Sequence, residues 1–296
     1  MKGETEYPAA ISKTTSGRFR KFISRLPLHI VIIVIALLWM TPTVGLLVSS
    51  FRPASEISTS GWWTAFQTPF QFTLENYSTV LSQNRMGSSF LNSLIIAIPG
   101  TVIPTLVAGF AAFAFAWMKF TGRNFLFIFM VALLVVPLQM TLIPVLRLYS
   151  SLHLVSTFPG IWLAHTAYGL PLAVFLLRNF FGALPRELIE SAHLDGASNL
   201  GVFFRIILPL SVPALASLAI FQFLWVWNDL LVALVYLQSP NLAPMTLTIN
   251  NLVSSYGTSW QLLTSAAFIS MALPLVIFFG LQRYFVEGIT AGAVKG

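Results

Sequence analysis

The chain has 296 residues, 56% of them hydrophobic and only 8% charged, with a mean hydropathy of +0.82. Soluble domains carry about 25% charged residues, so a soluble globular fold is excluded and a polytopic membrane protein is expected. The absence of cysteine excludes a disulfide framework and a thiolate metal site. The net charge of +7 sits at the ends of apolar runs, which fits membrane topology and not a nucleic-acid-binding face.

Taken in chain order, the apolar runs predict an all-α protein with six transmembrane helices. They fall near 28–50, 91–117, 125–149, 158–181, 209–236 and 262–284, each close to the ~20 residues that cross ~30 Å of hydrocarbon. A basic N-terminal segment, 1–27, precedes the first span, and an outward segment, 51–90, follows it. The remaining spans make up a membrane domain over 88–284, with a polar loop at 182–208 and a tail at 285–296. The first run is too long for a signal-peptide apolar core, and Phe51-Arg52-Pro53 does not look like a cleavage site. It is therefore expected to be retained.

Basic residues set the orientation. Lys2, Lys13, Arg18, Arg20, Lys21, Arg25, Lys119, Arg123, Arg178, Arg186, Arg205, Arg283 and Lys295 fall on one side by alternation, against Arg52, Arg85 and Arg147 on the other. Basic residues resist translocation, so the first side is expected to be cytoplasmic, with both termini inside. Outside, Trp62, Trp63 and Tyr77 suit the headgroup level. The stretch 238–261, with Pro240, Pro244 and Gly257, reads as an exposed loop.

Within the spans, Ala108, Ala112 and Ala116 recur at helical spacing, a small-residue face that permits close helix contact in lipid; ordinary alanine filler is the competing reading. Pro137 and Pro144 share the third run and predict a deformable or bent helix. The four histidines show no metal-ligand spacing and read as interfacial or packing residues. No phosphate loop is present: Gly288–Gly296 has no Ser or Thr after Lys295.

The loop at 182–208 is the most informative segment. Pro185 suits the first position of a helix, Glu187 and Glu190 favour its N-terminal turns, Gly196 suits its end with positive φ, and Ser198 can cap a second helix. That second helix would turn Val202, Phe203, Ile206 and Ile207 toward the membrane. An amphipathic helix lying on lipid is the alternative, but the carboxylates of Glu187, Glu190 and Asp195 oppose an anionic surface. Glu190-Ser191-Ala192, three residues, Gly196, nine residues, then Ile206-x-Leu208-Pro209 resembles the EAA loop of binding-protein-dependent ABC importer permeases, with Ser191 in place of the usual first Ala. The tail Leu281–Gly296 and Asn228-Asp229 after Trp225 and Trp227 resemble the smaller maltose-type permease of the carbohydrate-uptake subfamily. Gly61-Trp62-Trp63 and Asn250-Asn251 look most like permeases for α-glucosides and other glucosylated solutes.

This resemblance implies a type I ABC importer permease fold and a heteromeric complex in a prokaryotic inner membrane. The implied partners are a second related permease, two ATPase subunits carrying the ATP and Mg, and an extracytoplasmic solute-binding protein. No catalytic residue and no cofactor is expected on this chain. Glu187, Glu190, Ser191, Ala192, Leu194, Asp195 and Gly196 would couple to the ATPase, and alternating access would follow. A sugar path needs hydrogen-bonding groups and aromatic faces, for which Gln139, Thr141, Trp225, Asn228 and Asp229 are candidates. Asp229, near the outer end of its run, has a structural role at the rim as an equal alternative. An importer of a non-sugar solute, or a self-contained secondary transporter, are the rival readings; the second would need more buried ionisable residues than this chain offers.

Overall fold

A computed structural model describes residues 15–67, 70, 72–82, 85–256 and 259–293, with side chains over 25–253 and 259–282 of these. The basic residues Lys2 and Lys13 and the last three positions lie outside the described residues. The described chain is helical, with no strand. Apolar runs in lipid must satisfy their backbone groups internally, which helices do.

Among the described residues, four helices are long and apolar enough to cross a membrane: 25–50 within α1 (Thr15–Ser50), α4 (Met86–Trp117), α7 (Phe158–Gly182) and 260–282 within α14 (Trp260–Ala293). Two further spans are bent pairs, giving up to six. The expected third span is broken at Val136-Pro137, where α5 (Arg123–Ala132) with its closing 3-10 turn meets α6 (Leu138–Ser151) at 104°. Pro137 cannot continue the preceding helix because its ring removes a donor and crowds the turn. Pro144, Pro171 and Pro274 instead stay inside their helices. The expected fifth span is likewise corrected. Its helix α11 (Val212–Trp227) starts at a 76° bend, and the chain breaks again before α12 (Leu231–Tyr236).

The loop segments are more ordered than their composition predicts. The stretch 51–67 folds around Arg52, 2% exposed, whose guanidinium donates to the Glu56 and Ser60 carbonyls, the Ser60 hydroxyl and Thr64 Oγ1. It contains α2 (Ala54–Thr59) and a 3-10 turn over Trp62–Phe66. The Trp62 ring lies against Gly45 of α1, where a Cβ would fall 2.7 Å from its Nε1. Helix α3 (Glu75–Ser82) adds Asn76, which donates to the Ser50 and Arg52 carbonyls at 2.9 Å. The expected exposed loop at 238–261 is instead a 3-10 turn and α13 (Met245–Tyr256), with Ala243, Met245 and Leu247 buried. Sequence polarity misled here because Ser89, Asn92 and Ser93 of α4 absorb its polar groups.

Helices α4, α7 and α11 form the centre. One apolar cluster gathers Ile96, Ile161, Val226, Trp227 and Tyr236. A second gathers Ala108, Ala112, Leu177, Phe181, Phe203 and Ile207. Both Ala108 and Ala112 are fully buried against α7 neighbours, so the alanine stripe is a packing face, whereas Ala116 is half-buried. Between the clusters lies a polar layer: Gln222 of α11 donates to the Gly100 carbonyl of α4 at 3.2 Å and rests against Gly169 of α7. A Cβ on Gly169 would come 2.6 Å from the Gln222 amide nitrogen. By contrast, α1 is exposed on every side from 25 to 44.

Candidate coupling elbow and solute path

Helix α8 (Arg186–Leu194) has Pro185 as its capping residue and not its first helical one, so it starts one position later than expected. Glu187 lies in the first turn, where a carboxylate complements the helix dipole. The helix ends on Gly196 with φ +83°. The Gly196 N–H donates to the His193 carbonyl at 3.0 Å and the Ala197 N–H to the Ala192 carbonyl at 2.9 Å. This pair of bonds is a Schellman motif, which closes the helix's otherwise free carbonyls. Ser198 then caps α9 (Asn199–Val202), accepting from the Gly201 N–H at 3.2 Å. The result is a closed elbow of two short helices.

The elbow is anchored by its apolar side. Ile189, Val202, Phe203 and Ile207 are buried, and Ile206 is half-buried. The Phe203 ring packs on Phe110 and Phe113 of α4 at 4.8 and 5.4 Å. A π-helical turn over Phe203–Ile207 carries the chain into α10 (Leu208–Leu210) and the bend at Ser211. Its other side is open. Glu187, Glu190, Ser191, Asp195 and Gly196 are exposed, Leu194 is 88% exposed, and Ala192 is half-buried against the inner cluster. Six of the seven residues expected to meet a partner thus share an open surface, and Ala192 supports it from beneath.

His193, expected to be an interfacial or packing residue, joins the two helices. Its Nδ1 lies 2.7 Å from the Ile189 carbonyl and its Nε2 3.1 Å from Asn199 Oδ1. With oxygens at both nitrogens, the doubly protonated ring is favoured, and its pKa is raised above 6.5, first by the Ile189 bond and then by Asn199. No periodicity could have revealed this, since the contact depends on the αL turn at Gly196.

The candidate path residues separate into two groups. Thr141 of α6 donates to the Leu138 carbonyl and lies 3.0 Å from Tyr168 Oη of α7, which is 2.9 Å from Tyr236 Oη of α12. Sequence reading missed both tyrosines, which sit singly in apolar runs. Gln139 is exposed on α6. In the second group, Asp229 accepts from the Val232 and Ala233 N–H groups at 3.2 and 3.1 Å and so caps α12. Its Oδ2 is 3.9 Å from Nε2 of buried His165, and the His165 ring meets Trp225 edge-on at 5.4 Å. Asn228 donates to its own helix at the Leu224 carbonyl. Asp229 thus performs a capping role whatever else it does, and Trp225, 38% exposed, is the member of this group whose ring is open to a ligand.

Apolar helices that satisfy their own backbone, clad outside in exposed Leu, Ile, Val and Phe, define a polytopic membrane transport subunit when a polar elbow projects from one end. The chain belongs to the family of binding-protein-dependent transport system inner membrane components, matched over residues 105–291. It is similar to the osmoprotective compounds uptake permease protein GgtD of Synechocystis sp., 60% identical, covering 95% of each chain. It is also similar to the alpha-glucoside transport system permease protein AglG of Rhizobium meliloti, 41% identical over 90% of this chain and 96% of that one. In fold it resembles a chain of a bacterial ABC transporter that imports the acidic polysaccharide alginate, with a TM-score of 0.65, 16% identity and coverage of 91% of this chain and 99% of that one. It is thus an inner-membrane permease of the ABC importer class.

Proposed function

We propose that this chain forms one half of the translocation path of an ATP-driven importer of a sugar or small glucosylated solute. Its elbow is the seat for a separate ATPase subunit. The observation that carries this reading is the α8–α9 elbow: a closed, buried-anchored unit offering an exposed leucine beside three carboxylates at the bundle end shared by the α4 and α7 C-termini. The Trp117 Nε1 donates to the Phe181 carbonyl there, tying those two ends together. A rigid elbow seated on the inner cluster transmits a push into α4 without deforming, which alternating access requires of a two-state element. The elbow end is cytoplasmic in this reading, and both termini lie on that side.

The complex would further hold a second related permease, a second ATPase subunit and an extracytoplasmic solute-binding protein; ATP and Mg bind the ATPases and none of this chain's residues. Its likeness to an alpha-glucoside permease favours a glucosylated solute, and the half-buried Thr141 and Tyr168 hydroxyls with the open Trp225 ring supply suitable chemistry. Gln139 and Asn228 complete the proposed lining.

The test is uptake and binding-protein-stimulated ATPase activity of the reconstituted complex carrying Glu190→Lys with Gly196→Pro. Proline cannot adopt positive φ, so the elbow opens. Loss of both activities in a complex whose two permeases still co-purify is expected. Undiminished uptake would overturn the seat.

A further inference from the structure

The corner between α4 and α5 belongs to no part of the transport mechanism described above. It holds a shallow cavity of about 330 Å³ lined by Lys119, Phe120, Gly122, Arg123, Asn124 and Phe125. Gly122, at φ +82°, turns the chain at this corner, and both Lys119 and Arg123 line the hollow. Arg123 Nη1 donates to the Met118 carbonyl at 3.1 Å, which holds its guanidinium at the corner with its other N–H groups left to donate. Among the described residues neither Lys119 nor Arg123 belongs to an ion pair, and no carboxylate lines the cavity. A third cation adjoins: the Arg178 guanidinium of α7 lies 4.9 Å over the Phe127 ring, one helical turn along α5 from Arg123.

The apolar surface leading away from this hollow matters as much as the charge. Phe125, Ile128 and Phe129 of α5 are 73%, 66% and 56% exposed, and α5 is the first half of a bent pair long and apolar enough to enter a membrane. A ligand seated here would have an anionic head between two cations and a hydrocarbon body along a greasy helix. Soluble anions and acidic peptides satisfy only the first demand. Basic pockets at the ends of membrane helices recognise acidic headgroups in this way.

We infer that the Lys119–Arg123 corner binds the phosphodiester head of an acidic membrane phospholipid, with its acyl chain along Phe125, Ile128 and Phe129. The chemistry shared with free phosphate is the anion; the source here is the membrane.

The experiment is native mass spectrometry of the assembled complex, taken from nanodiscs of phosphatidylglycerol and phosphatidylcholine in equal parts. Retained phosphatidylglycerol should fall by about tenfold in Lys119→Gln with Arg123→Gln, because each cation adds separately to attraction by an anionic surface. Phosphatidylcholine adducts should not change. Arg147→Gln, which removes a single positive charge from exposed α6, should leave both unchanged, as should millimolar inorganic phosphate with the wild-type complex. Equal retention in the double variant overturns the site. So does an equal loss in Arg147→Gln, which would mean general surface charge, or displacement by inorganic phosphate, which would mean a simple anion site. Phe125→Ser with Phe129→Ser keeps the cations; unchanged retention in it overturns the acyl assignment.

Discussion

His193 holds α8 to α9 through two bonds that both need a ring N–H, and that makes the elbow sensitive to pH. A group whose folded pKa is raised contributes stability that is complete below its unfolded pKa, about 6.5, and is lost as pH rises through the folded value. Hydrogen exchange at the 197–202 amides should therefore quicken as pH is raised from 6 to 8, beyond the intrinsic effect of base. His193→Gln, which cannot be protonated, should abolish that excess; an excess that survives the substitution would assign it to another group. Asp229 carries a different lesson at this scale. Its place among apolar residues makes it look like a path residue, yet two backbone donors of α12 claim its carboxylate. Capping was not legible because nothing in the pattern marks the helix break at Asn228, whereas Gly196 announced itself through the residues on either side.

Helices α4, α7 and α11 meet where Gln222 reaches across to the Gly100 carbonyl. A buried polar bond in lipid has no water to fall back on, so this layer fixes the register of three spans at once. Gly169→Ala would drive a methyl into the Gln222 amide and cost about 1–3 kcal/mol, as overpacking does. The expected result is a lower Tm of the purified complex, partly restored by Gln222→Ala. Failure of the second change to restore it would detach the glycine from this bond. At the element scale the spans were readable, because twenty apolar residues have one physical use in a chain of this composition. Their breaks were not: Pro137 announced a bend without its angle, and the π turn at Phe203–Ile207 leaves no sequence trace. The segments 51–67 and 238–256 misled in the opposite sense, since many of their polar residues bond to α4 and to one another.

The whole molecule sorts its basic residues by end. Lys119, Arg123, Arg178, Arg186 and Arg205 lie with the elbow, while Arg52 and Arg85 lie at the opposite end with α2 and α3. The chain lacks cysteine, so single introduced cysteines report sidedness without background. Leu200→Cys in the elbow should resist an impermeant maleimide added to intact cells, and Ala54→Cys on α2 should react; the reverse pattern would invert the proposed orientation.

Among the described residues, helix α1 is buried against the rest of the chain over its last two turns, through Gly45 against Trp62 and the Ser50 carbonyl, which accepts from Asn76 and from Ser265 Oγ at 3.0 Å. Everything from 25 to 44 is exposed. A rod about 30 Å long, held by the rest of this chain at the end that meets the Arg52 knot, has the geometry of a lever arm. Small rotations at the Arg52 knot become displacements of several ångströms at the opposite face, amplified by the length of the arm. Any event that unsettles this knot therefore moves the far end of α1 without passing through the α4–α7–α11 centre.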